Sequence, residues 1–131
     1  MKTEGIHHIV VFVKDIEKAG EFYSQLLGAE FKDFDASEEV GLRIMISRDG
    51  GVELLMPIND QTDLARSLKE RGEGLYTVAF KVIVEEARAW VAEKGFRITG
   101  EFDSGFEPDW VEIMLHTEDT HGVPIILTGS R

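Results

Sequence analysis

The sequence predicts an α+β domain made of two paired β-α-β-β-β modules, on three observations. The first is a worn internal repeat. Ile6-His7-His8-Ile9-Val10-Val11-Phe12-Val13 precedes an amphipathic run from Asp15 to Leu27, and Leu75-Tyr76-Thr77-Val78-Ala79-Phe80-Lys81-Val82 precedes another from Val84 to Lys94. The second is that the offset between the copies is constant. His8 falls on Thr77, Ile9 on Val78, Val11 on Phe80 and Val13 on Val82, so residues sharing a strand face in one copy share it in the other. The third is a closing match of Gly51-Val52-Glu53-Leu54-Leu55 with Val123-Pro124-Ile125-Ile126-Leu127, within which Glu53 is read against Ile126 with a one-residue shift. Module 1 spans residues 5–57 and module 2 residues 74–129, joined by a helical linker, so that 1–131 is a single domain.

Taken in order, Ile6 to Val13 is apolar and β-branched and reads as a buried strand. Asp15 is an N-cap; Ile16, Ala19, Phe22, Tyr23 and Leu26 form the apolar stripe of the helix it starts, and Gly28 is its stop. Ala29 to Phe34 and Leu42 to Ser47 read as strands, and Asp49-Gly50-Gly51 turns the chain into a Val52 to Met56 strand. A short helix is expected from Thr62 to Arg71. The second module follows with a Leu75 to Val82 strand, a Val84 to Lys94 helix and strands at Phe96 to Glu101, Val111 to His116 and Val123 to Leu127. Asp103 to Pro108 is a loop rich in Gly and acids, and Glu118 to Gly122 a tight polar turn. Two such modules should pair around a pocket, with Ile9, Val11, Val13, Val78, Phe80 and Val82 under the helices and His8 and Thr77 on the pocket face.

Composition narrows the function. At 131 residues and 43% apolar content the chain can bury a core. Without cysteine it has neither disulfides nor thiolate metal sites. Its 14 basic and 25 acidic residues leave a net charge of −11, which disfavours nucleic-acid partners. No apolar run approaches the length of a membrane span, and no leader pattern opens the chain. The expectation is a cytoplasmic protein with a small-molecule ligand and neither membrane nor nucleic-acid partner; a homodimer is compatible with all of this.

The repeat breaks at the chemistry. Glu53 is a carboxylate in an apolar strand, which calls for a partner, and His8 is the expected one. The pair is either a satisfied core histidine or a dyad with His8 as base and Glu53 as its orienter. Arg43 is either a solvated strand charge or a guanidinium clamp for a carboxylate, phosphate or carbonyl oxygen. Tyr76 and Thr77 bring hydroxyls to the mouth or pack across strands, and Trp110 is a lid or plain core. Met45, Leu55 and Met114 would line the pocket with adaptable apolar surface.

These residues resemble the vicinal oxygen chelate superfamily, also called the glyoxalase/bleomycin-resistance fold, and most of all its methylmalonyl-CoA epimerases. Carrying the resemblance are Ile6-His7-His8-Ile9, Glu39-Val40-Gly41-Leu42-Arg43-Ile44-Met45, Pro57-Ile58-Asn59-Asp60 with Leu64-Ala65 and Leu68, and Leu115-His116-Thr117-Glu118-Asp119-Thr120-His121-Gly122-Val123. The resemblance implies four metal-ligand positions, which here are His8, Glu53, Thr77 and Ile126, and two catalytic glutamates, whose places hold Ile126 and Arg43. An isoleucine accepts no proton and an arginine keeps its own. On this pattern His8 and Glu53 could hold a divalent metal only weakly, with His116 or His121 the next ligand to look for. No tightly bound cofactor is expected. The functions implied are a divergent isomerase or lyase on a small carbonyl, carboxylate or acyl-CoA compound, without epimerase activity itself; or a non-catalytic binder of the same fold; or a metal-dependent epimerase or glyoxalase with a rebuilt ligand set.

Overall fold

A computed structural model describes residues 1–34 and 41–131; the Glu39-Val40 end of one resemblance stretch lies outside them. Its elements are β1 (Ile6–Phe12), α1 (Ile16–Leu27), β2 (Lys32–Phe34), β3 (Leu42–Ser47), β4 (Val52–Pro57), α2 (Asp63–Arg71), β5 (Gly74–Lys81), α3 (Val84–Lys94), β6 (Ile98–Asp103), β7 (Trp110–Leu115) and β8 (Ile125–Ser130), with a 3₁₀ turn at Thr117–Thr120. The β-α-β-β-β order thus occurs twice, around α2. The mixed α+β class predicted from the repeat is the one observed. Among the described residues no helix is long and apolar enough to cross a membrane.

The chain forms two compact units that cut across β1 and β5. One is Val10–Tyr76; the other joins Met1–Ile9 to Thr77–Arg131.

In the Val10–Tyr76 unit the strands run β2-β3-β4-β1, with β2, β3 and β4 antiparallel. Val10, Phe12, Leu42, Leu55 and Leu68 form a core against which Ile44 and Tyr76 pack. Helix α1 begins where Asp15 accepts from the Lys18 amide and ends in left-handed Gly28, as the sequence predicts. The face it buries differs from the predicted stripe. Ile16 and Gly20 are its buried residues, whereas Phe22 and Leu26 are 59% and 65% exposed. Gly20 faces β3 there, with the end of the Met45 thioether 3.4 Å from where a Cβ would lie. Strand β2 is shorter than predicted, because the amides of Gly28 and Ala29 both turn back to Ser24 O and close the helix first. The Thr62 hydroxyl caps α2 by accepting from the Ala65 amide.

In the other unit the order is β1-β5-β8-β7-β6, with β5 and β8 parallel and β7 antiparallel to both its neighbours. Strand parity sorts the residues. Val111, Ile113, Leu115, Leu127 and Val82 face Val84, Ala87 and Val91 of α3. Glu112 and Met114 on β7, and Ile126 and Thr128 on β8, alternate with them onto the opposite face. Strand β6 starts late for the same reason as β2: the Phe96 amide returns to Val91 O, and its ring packs on Trp90. Strand β8 starts beyond Pro124, after the Val123 amide has closed the turn on Thr120 O, and runs on to pair Ser130 with Trp110.

Candidate functional site

The chemistry-bearing residues of the Met1–Ile9/Thr77–Arg131 unit gather around His8. Its ring is 1% exposed and stacks on Phe106, centroids 3.8 Å apart and planes 19° apart. His8 Nδ1 lies 2.9 Å from His7 Nδ1. Among the described residues His8 Nε2 has no hydrogen-bond partner, and it lies 3.9 Å from Glu112 Oε2. Strict alternation puts neighbouring side chains of a strand on opposite faces, yet the His7 and His8 rings meet edge-on, 5.2 Å apart, and His7 also leans on Phe106 and Trp110.

Burial governs the charge state. Loss of hydration, with the neighbouring His7 adding to it, lowers the His8 pKa from 6.5 to about 3. Loss of hydration also raises the Glu112 carboxyl, partly offset by a hydrogen bond from the Ser104 hydroxyl. Near neutral pH the pair is therefore not an ion pair, because desolvation outweighs an attraction across 3.9 Å. A neutral imidazole faces a carboxyl pushed toward its protonated form. With the His8 proton on Nδ1, shared with His7, Nε2 presents a lone pair to Glu112.

Glu112, a residue the sequence did not single out, is the carboxylate 3.9 Å from His8 Nε2. It and Glu53 are both lone carboxylates in apolar strands, and the Val111-Glu112-Ile113-Met114-Leu115 run carried the signal that singled out Glu53. Glu53 lies in the Val10–Tyr76 unit, on β4 opposite Ile46. Phe106 and Ser104 were also missed. They belong to a polar, glycine-containing stretch with no periodicity to mark a buried ring.

The remaining predicted residues take other places. The Arg43 guanidinium, expected as an anion clamp, is 2.6 Å from Glu17 of α1 and 3.2 Å from Asp33 of β2. Those two hydrogen-bonded carboxylates raise its pKa further. Its charge is already answered on the α1 side of β3. Met45 shares that face, its thioether against Gly20. Tyr76 packs on the core of its own unit with the Arg71 guanidinium 5.3 Å above its ring, and burial raises its phenol. The Thr77 hydroxyl donates to Pro124 O at 2.6 Å. Trp110 lies 5.0 Å from the His7 ring, with Lys81 Nζ 5.5 Å from its own centroid. His116 Nδ1 accepts from the Glu118 amide and so caps the 3₁₀ turn, and His121 ends that turn in a left-handed conformation at φ 58°.

Among the described residues a divalent ion finds too few ligands. Thr77 spends its hydroxyl on a carbonyl, Ile126 has no donor atom, and among the described residues no group of three or more His, Cys, Asp or Glu side chains is placed to hold a metal. The donor set around His8 does not fit a divalent-metal site.

A chain with this repeated β-α-β-β-β order is matched by known proteins. The family model for the Glyoxalase/Bleomycin resistance protein/Dioxygenase superfamily matches residues 7–111. The chain belongs to this superfamily. Among its relatives, mitochondrial methylmalonyl-CoA epimerase of Bos taurus is 31% identical over 126 residues, spanning 93% of this chain and 72% of that protein. A solved Streptomyces coelicolor methylmalonyl-CoA epimerase variant, in complex with 2-nitronate-propionyl-CoA, is 29% identical with a TM-score of 0.79, covering 98% of this chain and 99% of that one. Mycobacterium tuberculosis methylmalonyl-CoA epimerase, 21% identical over 98% of this chain and 89% of that one, shares the fold with a TM-score of 0.80. This glyoxalase-superfamily chain is thus related to the methylmalonyl-CoA epimerases, and the His8–Glu112 arrangement is set within their fold.

Proposed function

We propose that this chain transfers protons on a small carbonyl, carboxylate or acyl-CoA compound, as a divergent isomerase or lyase, with His8 as base and Glu112 as acid. One observation carries the reading: a buried imidazole, its Nε2 unpartnered among the described residues, faces a carboxyl that burial pushes toward its protonated form. Such a pair suits enolisation. His8 Nε2 takes the proton on the carbon next to the carbonyl; the C–H electron pair becomes the new C=C bond. The carbonyl π pair moves to oxygen, where the Glu112 carboxyl delivers its proton. Proton uptake at His8 and proton delivery from Glu112 occur together, so the buried site never holds a single unmatched charge. Ser104 holds the Glu112 carboxyl, and His7 holds the His8 tautomer through Nδ1. The kinship with epimerases, one of them bound to an acyl-CoA analogue, supports an acyl-CoA or small dicarboxylic acid as the first class to test.

The test is deuterium wash-in from heavy water into a panel of small ketones, 2-oxo acids, dicarboxylic acids and acyl-CoAs, followed by NMR. At least one compound should exchange above the protein-free rate, and Glu112→Gln, which removes the transferable proton at constant shape, should abolish that gain. The binder reading is favoured by Phe106, which covers His8. It becomes the better account if panel compounds raise the melting temperature but none exchanges.

A further inference from the structure

Phe106 comes from the loop between β6 and β7, yet it is 3% exposed, and its ring lies flat on His8. The ends of that loop are fastened. The Ser104 amide donates to Trp110 O at 3.0 Å, closing the loop on itself. Arg131 then ties both ends: its guanidinium pairs with Asp103, just before this closure, and its amide donates to Asp109 O at 3.0 Å, just inside it. Asp109 sits at φ 61°, a conformation that L residues other than Asn and Asp rarely take. At the tip the Phe106 amide donates to Ser104 Oγ at 3.1 Å, the Trp110 amide donates to Glu107 O at 3.4 Å, and the Phe106 ring rests on two imidazoles.

We propose that Phe106 is a built-in plug on the His8 face, that a ligand enters by displacing it with the tip of the 104–109 loop, and that Arg131 is the clasp holding the loop down. The seat is a flat slot along an imidazole face, with His8 Nε2 and the Glu112 carboxyl at its edge. What replaces a phenyl ring there is a flat, π-bonded group carrying a hydrogen-bonding oxygen, such as a conjugated carbonyl or a thioester enolate, rather than a branched aliphatic acid. This ligand class rests on the reading of His8 as the ligand-facing base; the plug itself does not.

The test needs no ligand. Diethylpyrocarbonate acylates accessible neutral imidazoles, and peptide mass spectrometry reads the rate at each histidine of the intact chain. In the unmodified protein His8 should react at least about tenfold more slowly than exposed His121, because access requires local opening. Phe106→Ala should bring His8 to within about threefold of His121, and Arg131→Ala should accelerate it by a smaller factor. If Phe106→Ala fails to fold, as a melting curve would show, the surface change Arg131→Ala carries the test alone. His8 reacting as fast as His121 in the unmodified protein, or at an unchanged rate in both variants, overturns the plug. Acceleration by Phe106→Ala with none by Arg131→Ala overturns the clasp. Failure here leaves the wash-in experiment intact, and failure of wash-in leaves these rates interpretable.

Discussion

An imidazole that is 1% exposed loses most of its hydration, and His8 stays neutral until the pH falls to about 3. Its consequence for stability has a definite sign. Between pH 6.5 and about 3 the unfolded chain binds a proton at His8 that the folded chain does not. The His8 contribution is therefore fully present above pH 6.5 and drains as the pH falls through that window, by up to about 1.4 kcal/mol per pH unit. Glu112 works the other way. Its raised carboxyl lets the folded chain keep a proton that the unfolded chain releases above its ordinary 4.5, so its contribution is present at low pH and lost as the pH rises past the folded value. Urea unfolding across this range should show that His8→Gln flattens the acid limb and that Glu112→Gln removes the opposing loss. The ring protons of His8 should show no titration in NMR between about pH 5 and 7; a midpoint near 6.5 would mean the ring is solvated. Glu53 was legible in the sequence as a carboxylate out of place, and so was Glu112. That Glu112 faces the histidine follows from strand pairing, which the apolar pattern alone does not reveal. Phe106 was not legible at all, since a loop aromatic carries no period.

Helix α1 shows how far a pattern reaches at the level of the element. Its start, its end and its cap follow from Asp15 and Gly28, and Asp15→Ala should cost about 1 kcal/mol. Its buried face does not follow from apolar spacing, because the contact is made by Gly20, which has no hydrophobicity to count. Two glycines then separate by their surroundings. An added Cβ at Gly20 meets only the end of the flexible Met45 side chain, at 3.4 and 3.5 Å, so Gly20→Ala should stabilise by about 0.5–1 kcal/mol through helix propensity. At Gly129 on β8 the same atom would lie 2.3 Å from Val82 O, a backbone atom that cannot swing aside. Gly129→Ala should destabilise by about 2 kcal/mol or more. Thermal melts should move in opposite directions for the two variants; a loss of stability in Gly20→Ala would mean that α1 is packed too tightly against Met45 to admit a methyl.

Across the whole chain, the repeat carried most of what could be read in advance. Constant offset gave the β-α-β-β-β order twice, and the class and family followed. It also showed that the copies differ at His8 and Thr77 and at Glu53 and Ile126. What it could not supply was the partner for His8, because Glu112 lies at a position with no claim to interest within the repeat itself. The same comparison bears on activity. With Thr77 and Ile126 at two expected ligand positions, methylmalonyl-CoA should take up no deuterium above the protein-free rate, and protein dialysed against chelator should carry no stoichiometric zinc, cobalt or manganese by elemental analysis. Uptake into methylmalonyl-CoA would mean that the His8–Glu112 pair does the epimerases' work without their ligands. The central claim, that His8 and Glu112 act as one proton-transferring unit, is tested most directly by a double-mutant cycle. Wash-in rates for the fastest-exchanging panel compound would be compared in the unmodified protein, His8→Gln, Glu112→Gln and the double variant. Groups that act together are lost together, so each single change should remove nearly the whole gain and the double should be no worse than either. Losses that multiply, or a Glu112→Gln protein that exchanges at the unmodified rate, would contradict it.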